Sequence, residues 1–183
     1  SHIAHALVDA INKHNLRDPQ RSILYLNYSS LDPALTNEKC SFWHFRFAHH
    51  ADMQLEALVR LLTTRQDLRK AYLINQDYAY GQGVRKVLME MLAQRMPDVQ
   101  IVGDDLHPLG KVKDFAPYVA KIRASGAKVV LTSDWGSDLN LLVRAAEESG
   151  LPAALFTVNA AAIGTPAAIG TAGANRLWTV TAW

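Results

Sequence analysis

Lys70-Ala71-Tyr72-Leu73-Ile74-Asn75-Gln76-Asp77-Tyr78-Ala79-Tyr80-Gly81 passes from a short apolar run into a polar, aromatic turn, and Val84, Val87, Leu88, Met91 and Leu92 follow at helical spacing. A run of that length without polar alternation is what a strand covered on both faces requires, and the stripe behind it is the packing face of an amphipathic helix. The unit recurs along the chain. Further strands are predicted over residues 22–28, 99–103, 128–133, 154–158 and 176–181, beside the one at 70–75. Helices are predicted over 3–14, 51–66, 83–95, 115–124 and 138–149, with Leu55, Leu58, Val59 and Leu62 forming a second stripe. Gly126 and Gly150 stand where two helices should stop before strands, and Ser137 or Asp138 is placed to cap the start of another. The expected class is α/β, a parallel sheet with helices on both faces.

Composition agrees with a folded core. The 183 residues are 49% hydrophobic and 20% charged, neither disordered nor fibrous. A formal net charge of +2, with basic and acidic residues interleaved, argues against a dedicated nucleic-acid surface. No apolar run approaches the roughly 20 residues of a membrane span, because Arg60, Lys128 and Asp134 interrupt the most apolar stretches. The chain begins at Ser1 without a basic start and apolar segment, so a targeting peptide is expected to have been removed or never included. One cysteine, Cys40, excludes an internal disulfide and leaves a thiol or half of a bridge to another segment.

The helix and single strand predicted first are followed by an irregular stretch, residues 31–50, before the regular series begins. That stretch is the natural boundary. One helix and one strand cannot bury both of their faces, so residues 1–47 read as an incomplete part of a first lobe and 48–183 as a second. The chain is therefore expected to be a piece of a larger one. Residues 160–173 are rich in small side chains, and Ala-Ile-Gly-Thr occurs there twice, as expected from local composition.

Motifs for catalysis are sparse. Gly81-Gln82-Gly83 follows a strand and opens a helix, but Lys86 holds the place of the third glycine of a dinucleotide turn. No phosphate-cradling Gly-x-x-x-x-Gly-Lys-Ser/Thr and no Gly-x-Ser-x-Gly nucleophile elbow occurs in the sequence. His44, His49 and His50 cluster near the boundary without the spacing of metal ligands, and are read as solvated or hydrogen-bonded. The strand ends say more, because an open α/β sheet binds ligands beyond the carboxyl ends of its strands. Asp77, Tyr78 and Tyr80 follow one strand, Asp134 and Trp135 a second, and Asn159 a third. Aromatic walls with a few hydrogen-bonding groups suit a small organic ligand.

These residues carry a resemblance. Tyr72 to Gly81, Lys113-Asp114-Phe115 with Ile122-Arg123-Ala124-Ser125-Gly126-Ala127, and Thr132-Ser133-Asp134-Trp135-Gly136-Ser137-Asp138-Leu139 resemble the second lobe of periplasmic substrate-binding proteins of branched-chain amino acid ABC transporters. Asn27-Tyr28-Ser29-Ser30-Leu31-Asp32-Pro33-Ala34-Leu35-Thr36 resembles the ligand loop of the first lobe. Phe45-Arg46-Phe47 and Trp178-Thr179-Val180-Thr181 resemble the two crossovers, so the likeness covers nearly the whole chain.

The resemblance implies a type I periplasmic binding fold, a periplasmic location, a membrane permease as partner and two lobes closing over a small ligand. It implies no enzyme activity, catalytic residue, metal or cofactor. Ser29, Ser30 and Leu31, with Ser1 as a further candidate, match the loop that holds an amino acid carboxylate, and Tyr80 and Trp135 match the aromatic walls, with Tyr78 beside them. Cys40 resembles a cysteine that pairs with one upstream. One departure bears on specificity. Where amino-acid binders of the family place an acid for the ligand ammonium, this chain has Asn159-Ala160-Ala161. An unpaired buried ammonium is costly, so Asp134 or Asp77 would have to substitute, and an aromatic or aliphatic acid, or an amide, is as open as leucine. The alternatives are a nucleotide-dependent α/β enzyme, which lacks its phosphate loop here, and a ligand-sensing regulatory domain.

Overall fold

The computed structural model describes residues 2–65 and 67–181. The expectations that touch Ser1, Gln66 and Trp183 lie outside the described residues. The chain divides into two compact units, Ser1–Met53 and Gln54–Trp183.

In the first unit, α1 (His2–Arg17) packs Ala4 and Val8 against Leu35, with Tyr25 alongside. Asn15 ties the helix to the following segment, its side-chain amide donating to Ile23 O at 2.9 Å while its oxygen accepts from Ile23 N at 2.8 Å. The strand expected over 22–28 is confined to β1 (Tyr25–Asn27). It pairs in parallel with β2 (His44–Arg46), which the sequence reading placed inside an irregular stretch. The single expected strand is thus two. The chain divides within the next helix, whose first turn is tied to this unit by Ala51 N donating to Leu31 O at 3.0 Å.

That helix is α2 (Ala51–Thr63), and the second unit continues with β3 (Lys70–Gln76), α3 (Ala79–Arg95), β4 (Gln100–His107) and α4 (Ala116–Ala124). It is completed by β5 (Val129–Thr132), α5 (Gly136–Glu148), β6 (Ala154–Thr157), α6 (Thr165–Ile169) and β7 (Leu177–Thr179). Among the described residues the five strands form one all-parallel sheet in the order β4-β3-β5-β6-β7. Successive strand residues face opposite sides. Tyr72, Ile74, Val130 and Leu155 pack under α4 and α5, whereas Leu73, Leu131 and Phe156 pack under α2 and α3. The continuous apolar runs are explained by this double cover.

The order is that of a doubly wound sheet, in which the strand sequence reverses direction at one place, here between β3 and β5. At this switch point the two helices leave to opposite faces and open a crevice beyond the strands' carboxyl ends.

Gly81 has a reason unrelated to phosphate. In the first turn of α3 its Cα lies so close to the Gln76 carbonyl oxygen that a Cβ would fall far inside van der Waals contact, whereas a Cβ on Gly83 would meet nothing. Gly81→Ala should therefore destabilise by ~1–3 kcal/mol through overpacking, and Gly83→Ala should stabilise by up to ~1 kcal/mol through helix propensity. Urea titration of the two variants should show midpoints displaced in opposite directions. Gly126 and Gly150 end their helices at φ +69° and +64°, as their placement in the sequence predicts.

Candidate functional site

The turn after β3 brings Asp77, Tyr78 and Tyr80 to the switch point, and the turn after β5 brings Ser133, Asp134 and Trp135. Tyr78 and Trp135 are the extended residues that precede α3 and α5, so their side chains leave the sheet just where each helix begins. Trp135 Nε1 donates to the Tyr78 hydroxyl at 2.9 Å, joining the two turns. The Tyr78 and Tyr80 rings lie 6.0 Å apart, tilted by 44°. Trp135 remains 46% exposed, so the aromatic group presents an open face.

Asn159 follows β6 and donates its amide to Ser133 O at 2.7 Å and Asp134 O at 3.3 Å. It neighbours the Tyr80 hydroxyl, which burial pushes up to about 12 against the opposing effect of Asn159. Burial also raises Tyr78, with the Trp135 bond opposing. Both phenols are therefore neutral near pH 7, able to donate and to accept.

The two carboxylates weighed as substitutes for the missing acid stand in different places. Asp134 is fully buried with its Oδ2 2.8 Å from His107 Nε2, so it does not face a ligand. Asp77 is exposed and accepts from Gln82 Nε2 at 2.7 Å.

Asp138 corrects an expectation. Trp135, not Ser137 or Asp138, occupies the cap position of α5. The Asp138 carboxylate is buried in the first turn, accepting from Gln76 Nε2 and Gly110 N, each at 2.8 Å. Asn75, Gln76, His107 and Asp138 make a polar layer beneath the aromatic turns that sequence reasoning missed. Asn75-Gln76 at the end of an apolar strand was the available signal.

In the first unit, the Ser29–Leu31 loop is built on Asn27. Its side-chain oxygen accepts from Ser29 N at 3.2 Å and Ser30 N at 2.8 Å, and its amide donates to Ser30 O at 3.0 Å. Those two backbone amides are thus engaged, while the Ser30 hydroxyl is buried without a partner among the described residues. His44 steadies Asn27 from below. Its Nδ1 donates to Leu35 O at 3.1 Å, which leaves Nε2, 3.2 Å from Asn27 Nδ2, to accept. His50 lies 4.0 Å from Asp52, and no group of residues arranged to hold a metal occurs among the described residues.

A doubly wound sheet with aromatic residues gathered at its switch point defines the class as an open α/β lobe. The chain belongs to the periplasmic binding protein family, whose sequence model matches residues 1–183, and its fold is that of the type I members. It is similar to Leu/Ile/Val-binding protein homolog 4 of Brucella abortus, with 35% identity over 95% of this chain and 41% of that protein. Among solved structures it is similar to the leucine-, isoleucine-, valine-, threonine- and alanine-binding protein from Brucella ovis in a closed conformation. There the TM-score is 0.82 and the identity 33%, over 93% of this chain and 43% of the other. A branched chain amino acid ABC transporter protein from Thermus thermophilus with bound valine shares the fold, with a TM-score of 0.73 at 14% identity, over 92% of this chain and 49% of that one. The chain thus spans 41% of the length of the curated relatives it matches.

Proposed function

We propose that the protein is an extracytoplasmic solute-binding receptor of an ABC importer, not an enzyme, and that it passes its ligand to a membrane permease from the periplasm. The single observation that carries this reading is the Trp135–Tyr78 hydrogen bond at the switch point, which leaves an aromatic face open where such sheets take ligands. No helix among the described residues is long and apolar enough to cross a membrane. On this reading Tyr78, Tyr80, Trp135 and Asn159 contact the ligand in the second lobe. Ser29, Ser30 and Leu31 hold its carboxylate from the first, with the hydroxyls and the Leu31 amide as donors because the Ser29 and Ser30 amides are engaged by Asn27. Residues 1–47 belong to the first lobe and 48–183 to the second.

The ligand class follows from kinship and from charge. Relatives above 30% identity are named for leucine, isoleucine and valine, which supports a branched-chain amino acid. Asn159 supplies no negative charge, and Asp134 is committed to His107, so Asp77 is the carboxylate left for an ammonium. A related small organic acid or amide needs no such partner.

A thermal-shift screen of the intact protein against leucine, isoleucine, valine, aromatic acids, amides and nucleotides tests the proposal. Ligand at 100 times its Kd should stabilise by ~2.7 kcal/mol. A shift with an amino acid, organic acid or amide is expected. A shift with nucleotides alone would overturn the receptor reading.

A further inference from the structure

Beneath the turn that carries Trp135 lies a buried layer of polar side chains for which ligand contact gives no role. His107, the last residue of β4, and Asp134, the second residue after β5, meet at 2.8 Å with both side chains wholly inaccessible. Gln76, the last residue of β3, donates to Trp135 O at 3.2 Å and to Asp138 Oδ2 at 2.8 Å. Ser133 donates through both its amide and its hydroxyl to Asn75 Oδ1, and Asp134 N donates to Thr132 Oγ1. The backbone around Trp135 is therefore bracketed by side chains from neighbouring strand ends.

The layer is short of positive charge. Asp138 on α5 is the second buried carboxylate, and α4 contributes Tyr118, whose ring lies 5.9 Å from that of His107 and carries Lys121 Nζ 5.4 Å over it. Phe115 packs edge-on at 5.0 Å, and β3 ends beside the pair in the amides Asn75 and Gln76, with Tyr72 further back bonded to Asp105. A neutral His107 would leave two buried carboxylates with no cation in the layer, and a proton on the pair cancels one of them. The titration directions agree with this. Burial alone lowers His107, but its bond to Asp134 and the charges of Asp134 and Asp138 carry it above its ordinary value. Burial foremost raises Asp134, with Asp138 adding and His107 opposing. Whichever atom holds the proton, the folded layer binds it more tightly than the unfolded chain does, so the stabilisation is present at low pH and is lost as pH rises through the raised value.

We propose that His107 and Asp134 are positioning residues for Trp135: the imidazolium–carboxylate pair holds the Ser133–Trp135 turn, and loss of its positive charge with rising pH loosens the indole from Tyr78. That Trp135 contacts a ligand rests on the receptor reading, whereas the positioning does not.

The test uses no ligand. In the intact protein labelled with 5-fluorotryptophan, the Trp135 fluorine resonance is assigned by its loss in Trp135→Phe and followed across roughly pH 5 to 9, the range in which histidine changes charge. The resonance should titrate with a midpoint above 6.5, the ordinary histidine value. His107→Gln should abolish that titration, and Trp43 and Trp178 should not share it. Should His107→Gln fail to fold, Asp134→Asn, which keeps an oxygen for the imidazole, should move the midpoint to lower pH. A flat Trp135 resonance, or a titration that survives unchanged in the variant that folds, would overturn the proposal. Because leucine is not used, a failed ligand screen leaves either outcome readable.

Discussion

Phe156→Ala should lower the free energy of unfolding by ~3–5 kcal/mol, read as a lower urea midpoint at unchanged slope. Phe156 lies in β6 with no exposure and pairs in register with Leu131 on β5 and Trp178 on β7. Its ring stacks on that of Trp178 with centroids 6.0 Å apart and planes 14° from parallel, while the α2 and α3 side of the core closes over it. Truncation forfeits the transfer energy of the ring and leaves a void, because neighbours on both adjacent strands are fixed by the sheet ladder. The contrast is Phe47, 74% exposed in the first unit, whose replacement by alanine should change stability by no more than ~0.5 kcal/mol.

Trp135→Ala should weaken ligand binding by ~2 kcal/mol or more, a loss of about 30-fold in affinity, with little change in the unfolding midpoint. The indole is half exposed and supports no core side chain, so its removal should register in binding rather than in stability. Trp135→Phe separates the two contributions. It keeps an aromatic face but loses the hydrogen bond to Tyr78, and should cost only ~1 kcal/mol of binding. Titration calorimetry on the three proteins gives the ranking, and equal affinities would remove Trp135 from the site.

The second unit was legible because its central strands β3, β5 and β6 are covered on both faces and its helices on one, so two distinct periodicities stand in the sequence. What escaped was whatever depends on partners distant in the chain. β2 is three residues long and forms only by pairing with β1, and His44-Phe45-Arg46 carries no alternation that would announce it. β4 runs on to His107, past the end expected at residue 103, because Asp104 and Asp105 break its apolar run. On this edge strand both acids find partners, Asp104 in Arg85 and Asp105 in the Tyr72 hydroxyl and Lys121. His107 was hidden by that truncation, and Asp138 by its likeness to a cap.

The repeated Ala-Ile-Gly-Thr illustrates the same limit. Ile163 of the first copy is fully exposed and Ile169 of the second is buried at the end of α6, so identical tetrapeptides serve different roles. The aromatic residues of the candidate site were readable, since each lies just beyond a strand that could be located. Their hydrogen bond across the switch point was not, because it depends on β3 and β5 being neighbours although β4 separates them in sequence.

Titration of L-leucine into the intact protein by calorimetry, in parallel with its keto acid and with ATP, separates a solute receptor from a nucleotide-dependent enzyme. Saturable one-to-one binding of the amino acid or of the keto acid is expected, with the ammonium deciding between them through Asp77. Saturable binding of ATP, with no heat from either of the other two, would contradict the receptor reading.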